Sequence, residues 1–205
     1  MSKGIIVGLT GQTGSGKSTV ALQLKGAGFG VVDGDEISKE ITVPGSKILK
    51  DLEEHFGKDI LNPDGTLNRA NLARFAFVSE ERTDRLKKIT HPYITEEIEK
   101  RIDELFKEGK EAVIVDAAAL FESEFNKKCD ICVSVICPDN VRAERIMRRD
   151  GLSEEDAWFR INAQKSESFY REKSDMILRN FPPYNFEKEV MVLVKKIKKI
   201  LRESK

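Results

Sequence analysis

Short apolar runs alternate along this chain with longer amphipathic ones. Residues 5–9, 29–32, 112–115 and 131–136 are almost unbroken by polar side chains, and 176–178 is a shorter fifth run. Runs without polar alternation suit strands buried on both faces, as in a parallel sheet. The segments between them carry helical spacing, so the order reads βαβα and predicts an α/β fold with a five-stranded parallel sheet flanked by helices. In the last segment, 185–201, Val190, Val194, Ile197 and Leu201 recur at helical spacing. That predicts an amphipathic closing helix with its lysines on the solvated side.

The second and third runs are separated by about eighty residues of helical patterning, where a βαβ crossover needs only a dozen or so. The excess reads as an inserted helical subdomain, 36–110, broken at Gly45 and at the turn Asn62-Pro63-Asp64-Gly65. Pro92, following His91, is expected to open a helix over 93–106. A basic, helix-rich stretch over 140–173 follows the fourth run.

Composition narrows the classes. With 205 residues, 40% of them hydrophobic, the chain suits one α/β domain with an insertion. Lys+Arg and Asp+Glu both number 35, so no global field draws nucleic acid or anionic lipid, and any positive field must be local. Cys129-x-x-Cys132 has neither a second pair nor a nearby His to make a zinc site. Cys132 and Cys137 sit in an apolar run and read as small core hydrophobes. No apolar stretch approaches the roughly 20 residues that span a bilayer. The expectation is a soluble, cytoplasmic protein.

Candidate chemistry begins with Gly11-Gln12-Thr13-Gly14-Ser15-Gly16-Lys17-Ser18, a full G-x-x-x-x-G-K-[ST] motif between a predicted strand and a predicted helix. Phosphate oxygens must approach the backbone closely, which Gly11, Gly14 and Gly16 allow. The following helix adds its positive end. Lys17 offers a point charge to the β- and γ-phosphates and Ser18 a hydroxyl to Mg²⁺. The motif implies a nucleoside triphosphate and leaves both base and acceptor open.

Asp33 and Asp35 follow the second run, at the strand end where ligands of parallel sheets collect. Asp33 is the candidate base for an attacking hydroxyl, and Asp35 the expected cap of a helix starting near Glu36. Asp116 closes the third run and is the candidate for steadying the Mg²⁺ shell. Arg142, Arg145 and Arg149 fall on one helical face, with Arg148, Arg160 and Arg171 nearby. Planar guanidinium donors can stabilise charge on a transferring phosphoryl group. A surface helix laced with ion pairs to Glu144, Asp150, Glu154 and Glu155 is the alternative.

These residues resemble the dephospho-coenzyme A kinase family over nearly the whole chain. The likeness runs from Gly8-Leu9-Thr10-Gly11 and Asp33-x-Asp35 through Pro44-Gly45, Phe56-Gly57 and Asp64-Gly65-x-Leu67-Asn68-Arg69. It continues with His91-Pro92, Leu120-Phe121-Glu122, Arg145, Arg149-Asp150-Gly151, Arg160 with Gln164, and Asn180. The resemblance implies a single P-loop kinase domain over 1–205. Its core would be 1–35, 111–140 and 174–205, with an acceptor-binding insert at 36–110 and a lid at 141–173. It implies phosphorylation of the 3′-hydroxyl of dephospho-coenzyme A, with ATP as donor and Mg²⁺ as cofactor.

Asp33, Lys17 and Arg145 would then be catalytic. Gly11, Thr13, Gly14, Ser15, Gly16, Lys17, Ser18, Thr19, Arg145 and Arg149 would bind ATP. Asp33, His91, Leu120, Phe121 and Glu122 would bind the acceptor, and Ser18 and Asp116 the metal. The small molecules would be the only partners of a monomer or weak homo-oligomer. The chain departs from the family's usual residues at Gln12-Thr13, Ala117-Ala118-Ala119, Arg142 and Phe181-Pro182. A GTPase reading fails because Asn126-Lys127-Lys128-Cys129 lacks the Asp that would read guanine.

Overall fold

The computed structural model describes residues 4–203. Strand β1 (Ile5–Gly11) leads into helix α1 (Lys17–Gly26), and β2 (Gly30–Asp33) into α2 (Gly34–Glu40). Then come α3 (Lys47–Phe56), a 3₁₀ turn at Lys58–Ile60, α4 (Arg69–Ala76) and α5 (Glu80–Lys107). β3 (Ala112–Asp116), a 3₁₀ turn at Phe125–Lys128 and β4 (Ile131–Ile136) follow. The chain closes with α6 (Asp139–Asp150), α7 (Glu154–Asn162), α8 (Glu167–Lys173), β5 (Met176–Arg179) and α9 (Phe186–Glu203).

The five strands form one sheet in the order β2-β3-β1-β4-β5. β1 is parallel to β3 and β4, and β4 to β5. Every residue of β3 and β4 is buried, which is why those runs carry no polar alternation. The register sets Leu9 beside Asp116 and Gly11 beside Val135, so the end of β1 and the carboxylate closing β3 share one sheet edge. Mid-strand Gly8 has a packing reason. A Cβ there would lie 2.7 Å from Leu120 Cδ2 and 2.9 Å from Cys129 Sγ, because the connection from β3 to β4 lies directly on the strand.

Two compact units emerge. Residues 33–101 form one, and the described residues up to 32 and from 102 form the other. In the larger, Val7, Leu9, Val20, Leu24, Ile114, Val133, Val135 and Leu178 pack with Val190, Leu193, Ile197 and Leu201 of α9. Leu193 rather than Val194 takes the fully buried position in α9, where Val194 is only partly covered. Cys132 and Cys137 are buried free thiols, as expected of small hydrophobes.

The helical unit has its own core of Ile48, Leu52, Phe56, Ile60, Leu72 and Ala76, flanked by Leu86, Ile89 and Tyr93. Its turn at 62–66 closes through Asn62 N–H to the Thr66 carbonyl at 2.8 Å. Asp64 accepts from both the Thr66 hydroxyl and N–H, which holds its carboxyl below the usual range. Asn68 then caps α4 by accepting from Asn71 N–H.

Two local expectations fail. Pro92 does not open a helix, because α5 runs through it from Glu80 to Lys107. Leu86, Ile89 and Tyr93 place one stripe on the core across the proline. Tyr93 is further held by its hydroxyl donating to Asp51 at 2.6 Å, an interaction that raises the phenol above its ordinary range. Pro92 itself is exposed, so the break in the helix ladder that its missing N–H makes lies on the solvent side. Tertiary packing outweighs the local stop signal.

The cap of α2 falls on Asp33, not on Asp35. The helix begins at Gly34, and Asp33 stays extended at φ −95 and ψ 108. Its Oδ1 accepts the N–H groups of Asp35 at 2.9 Å and Glu36 at 3.0 Å.

Among the described residues no helix is long and apolar enough to cross a membrane. Leu52→Ala empties a site with no solvent exposure. It should lower the urea unfolding free energy by about 2–5 kcal/mol, whereas Leu22→Ala, at a side chain 71% exposed, should change it by less than about 0.5 kcal/mol.

Candidate active site

The turn between β1 and α1 is built almost entirely from backbone. Gly11, Gly14 and Gly16 take φ values of 154, 76 and 102, the region L side chains avoid. The glycines also answer to crowding from behind. A Cβ on Gly14 would come within 2.9 Å of the Arg142 carbonyl, and one on Gly16 would strike Asn180 Nδ2. A Cβ on Gly11 would lie 2.6 Å from the Val135 carbonyl, so all three glycines of the motif serve the packing of the loop as well as its backbone conformation.

Hydrogen bonding divides the loop's amides into two sets. Thr13 N–H donates to Gln164 Oε1 at 2.8 Å and Ser15 N–H to the Gln12 carbonyl at 3.1 Å. Gly14, Gly16, Lys17 and Ser18 have N–H groups with no acceptor among the described residues. Helix α1 begins at Lys17 with Gly16 at its N-cap position and no side-chain cap. An uncapped N-terminus with converging free amides is an anion nest, reinforced by the helix dipole. The Ser15 hydroxyl is buried without a hydrogen-bond partner among the described residues, so Ser15 faces inward, and Ser18 and Thr19 are exposed.

Lys17 reaches across the sheet edge and pairs its ammonium with Asp116 Oδ1. Asp116 is 3% exposed, so its charge depends on such a partner. The loop lysine, Ser18 and the β3 carboxylate therefore stand at one edge. Among the described residues no three His, Cys, Asp or Glu side chains gather to hold a metal. A hydroxyl and a single carboxylate nonetheless fit Mg²⁺, which keeps most of its shell as water and substrate phosphate.

The predicted arginine face separates by depth. Arg142 is fully buried, Arg145 half-buried and Arg149 exposed. Arg145 lies against the loop, donating through NH1 to the Gly14 carbonyl at 3.3 Å and through NH2 to the Asn180 carbonyl at 3.1 Å. Asn180 in turn donates to the Ser15 carbonyl at 2.7 Å. Arg149 instead forks onto Asp150, at 2.7 and 2.9 Å, where Arg160 joins it at 2.8 Å. Paired with two guanidinium groups, Asp150 is held below the usual carboxylate range.

Leu120 is fully buried against Gly8, a core position. Phe121 packs edge-on against Phe169, with centroids 5.9 Å apart, and beside Tyr170. Burial and the charge of Glu122 push the Tyr170 phenol up to about 12. Glu122 Oε2 is itself buried with no hydrogen-bond partner among the described residues, an acceptor open to a donor.

Asp33 and His91 belong to the helical unit. The two amides on Asp33 Oδ1 fix the carboxylate plane and leave Oδ2 uncommitted among the described residues. His91 lies half-buried within α5. Sequence reasoning did not foresee the roles of Gln12, Arg142, Gln164 and Asn180 as fasteners of the loop.

A family model for dephospho-CoA kinase matches residues 5–182. The dephospho-CoA kinase of Corynebacterium glutamicum is 42% identical over 174 residues, covering 85% of this chain and 87% of that protein. One from Listeria monocytogenes is 34% identical over 197 residues, covering 96% and 98%. Among solved structures, a Thermus thermophilus protein superposes with a TM-score of 0.81 at 28% identity, covering 97% of this chain and 98% of that one. The Campylobacter jejuni dephospho-CoA kinase gives 0.68 at 27%, covering 95% and 97%. A Bacteroides thetaiotaomicron shikimate kinase, at 0.55 and 14% over 95% and 98%, shares the fold. With its sheet order, its uncapped phosphate loop and relatives matching along nearly its full length, the chain belongs to the dephospho-CoA kinase family.

Proposed function

We propose that this chain transfers the γ-phosphoryl group of ATP to the 3′-hydroxyl of dephospho-coenzyme A, giving coenzyme A and ADP. The observation that carries the reading is the loop at 11–18, whose free amides and ammonium suit a triphosphate, in a chain of this family. Phosphoryl transfer needs little covalent help. It needs the donor, acceptor and charges held in place.

In this reading the amides of Gly14, Gly16, Lys17 and Ser18 bind the β- and γ-phosphates, with Gly11, Thr13, Ser15 and Thr19 shaping the loop. Lys17 leaves Asp116 for the phosphates, and Arg145 and Arg149 engage the nucleotide from the lid, 141–173. Asp33 Oδ2 accepts the proton of the acceptor hydroxyl as its oxygen bonds to the γ-phosphorus and the bond to the β–γ bridging oxygen breaks. Its Oδ1 is occupied by two amides, so Oδ2 is the oxygen left to take the proton. Glu122 Oε2 offers the acceptor a hydrogen-bonding site, and Leu120 and Phe121, its neighbours in the chain, shape that segment. His91 and the insert, 36–110, complete acceptor binding. Ser18 and Asp116 would hold Mg²⁺, whose chemistry is to neutralise charge on the β- and γ-phosphate oxygens.

The enzyme acts in the cytoplasm on two small molecules, as a monomer or weak homo-oligomer. Equal counts of 35 acidic and 35 basic residues support a partner list without nucleic acid, by giving polyanions no global attraction.

A coupled ADP-release assay should show turnover with dephospho-coenzyme A and none above background with adenosine or water. Equal release with water would reduce the chain to a nucleotide hydrolase. Asp33→Asn keeps the cap on α2, since Asn caps as well as Asp. It should leave the unfolding midpoint unchanged while kcat falls about 10²–10⁴-fold. Lys17→Ala should abolish transfer and also destabilise, by roughly 3 kcal/mol, because the buried Asp116 carboxylate loses its ion pair with Lys17. Adding Asp116→Asn should recover stability in chemical denaturation but not activity.

A further inference from the structure

Arg142 heads the fully buried side chains of the described residues, with 0% exposure. A buried guanidinium is tolerated only when its donors are satisfied. Here Nε donates to the Thr13 carbonyl at 2.8 Å, NH1 to Asp139 Oδ1 at 2.5 Å and NH2 to Gln164 Oε1 at 2.8 Å. Gln164 Oε1 also accepts the N–H of Thr13 at 2.8 Å. Thr13 is thus gripped at its carbonyl by one side chain and at its amide by another, and those two side chains bond to each other. One residue upstream, Gln12 Nε2 donates to the Lys165 carbonyl at 3.1 Å.

The geometry has a direct meaning for phosphate binding. The Thr13 carbonyl and the Gly14 N–H belong to one planar trans peptide and point in opposite directions. Whatever holds the carbonyl therefore aims the amide. Gly14, at φ 76, has no Cβ to resist a flip of that peptide. Flipping would turn the Gly14 N–H away from the nest and present a carbonyl oxygen to a phosphate.

We infer that Arg142, with Gln164, is a positioning residue for the transfer reaction. It locks the Thr13–Gly14 peptide so that the Gly14 amide faces the triphosphate, and it anchors the segment after α7 to the loop. Arginine suits the task because one rigid planar group supplies three directed donors, where lysine offers a single point charge. The inference rests on the loop's reading as an ATP site, and not on the identity of the acceptor.

The test uses the full chain and calorimetric titration with Mg²⁺ and ADP, beside steady-state kinetics with both substrates. Arg142→Gln should raise the Kd for ADP and the KM for ATP on the order of tenfold, the loss of about one hydrogen bond to a charged group. The KM for dephospho-coenzyme A should stay within about twofold, because no bond of this set faces the acceptor. Gln164→Ala, at a half-buried position, should act in the same direction and keep the fold if Arg142→Gln does not. The double variant should lose less than the product of the single losses, since both grip one peptide.

Parent-like ADP affinity in a folded Gln164→Ala protein overturns the inference. So does an equal rise in both KM values, or strict multiplication of the two losses. A parent chain that binds ADP yet does not phosphorylate dephospho-coenzyme A sinks the proposed acceptor and leaves the titrations to decide the role of Arg142.

Discussion

A backbone N–H that is drawn out of water must find an acceptor, and the turn into α1 withholds one, among the described residues, from four of its amides. Gly14, Gly16, Lys17 and Ser18 donate to nothing within the described protein, and Gly16 occupies the position where Ser, Thr, Asp or Asn would ordinarily cap the helix. A bound anion would complete these bonds in place of water. Much of the architecture serves to keep that deficit in place. β1 lies at the centre of the sheet and is almost wholly buried, so the loop leaves from a strand held by a neighbour on each side. Asn180 and Arg145, just beyond β5 and on α6, hold the loop's carbonyls from behind.

The pairing of Lys17 with Asp116 follows from the same constraint. Free amides at a helix start create a positive field, and the Lys17 ammonium adds to it. The β3 carboxylate offsets that charge. Neither group would be stable alone at such low exposure, so the pair behaves as one neutral unit in the resting protein.

What could be read from the chain was what is decided locally. The strands betrayed themselves by unbroken apolar runs, and the phosphate loop by a motif whose every fixed position has a steric or electrostatic reason. The turn at 62–66 and the cap at Asn68 form from neighbours within a few residues. The failures lie where distant parts of the chain decide. Pro92 sits inside α5 because Leu86, Ile89 and Tyr93 have a core to cover. Arg142 looked like one member of a charged helix face, yet its carbonyl partner is 129 positions away. A hint was present in the sequence: Gln12, Thr13 and Arg142 all differ from the family's usual residues, and all three prove to be parts of one fastening.

Asp33 ends a strand, starts a helix and carries the oxygen proposed to meet the acceptor. Joining these tasks in one side chain has a consequence for how the position tolerates change. A selection that reports only on folding would accept Asn, Ser or Thr there, since each can hold the helix start. A selection for growth that needs the product would retain Asp alone. Variants gathered by stability would therefore include silent losses of the enzyme, hidden from any screen that measures soluble yield.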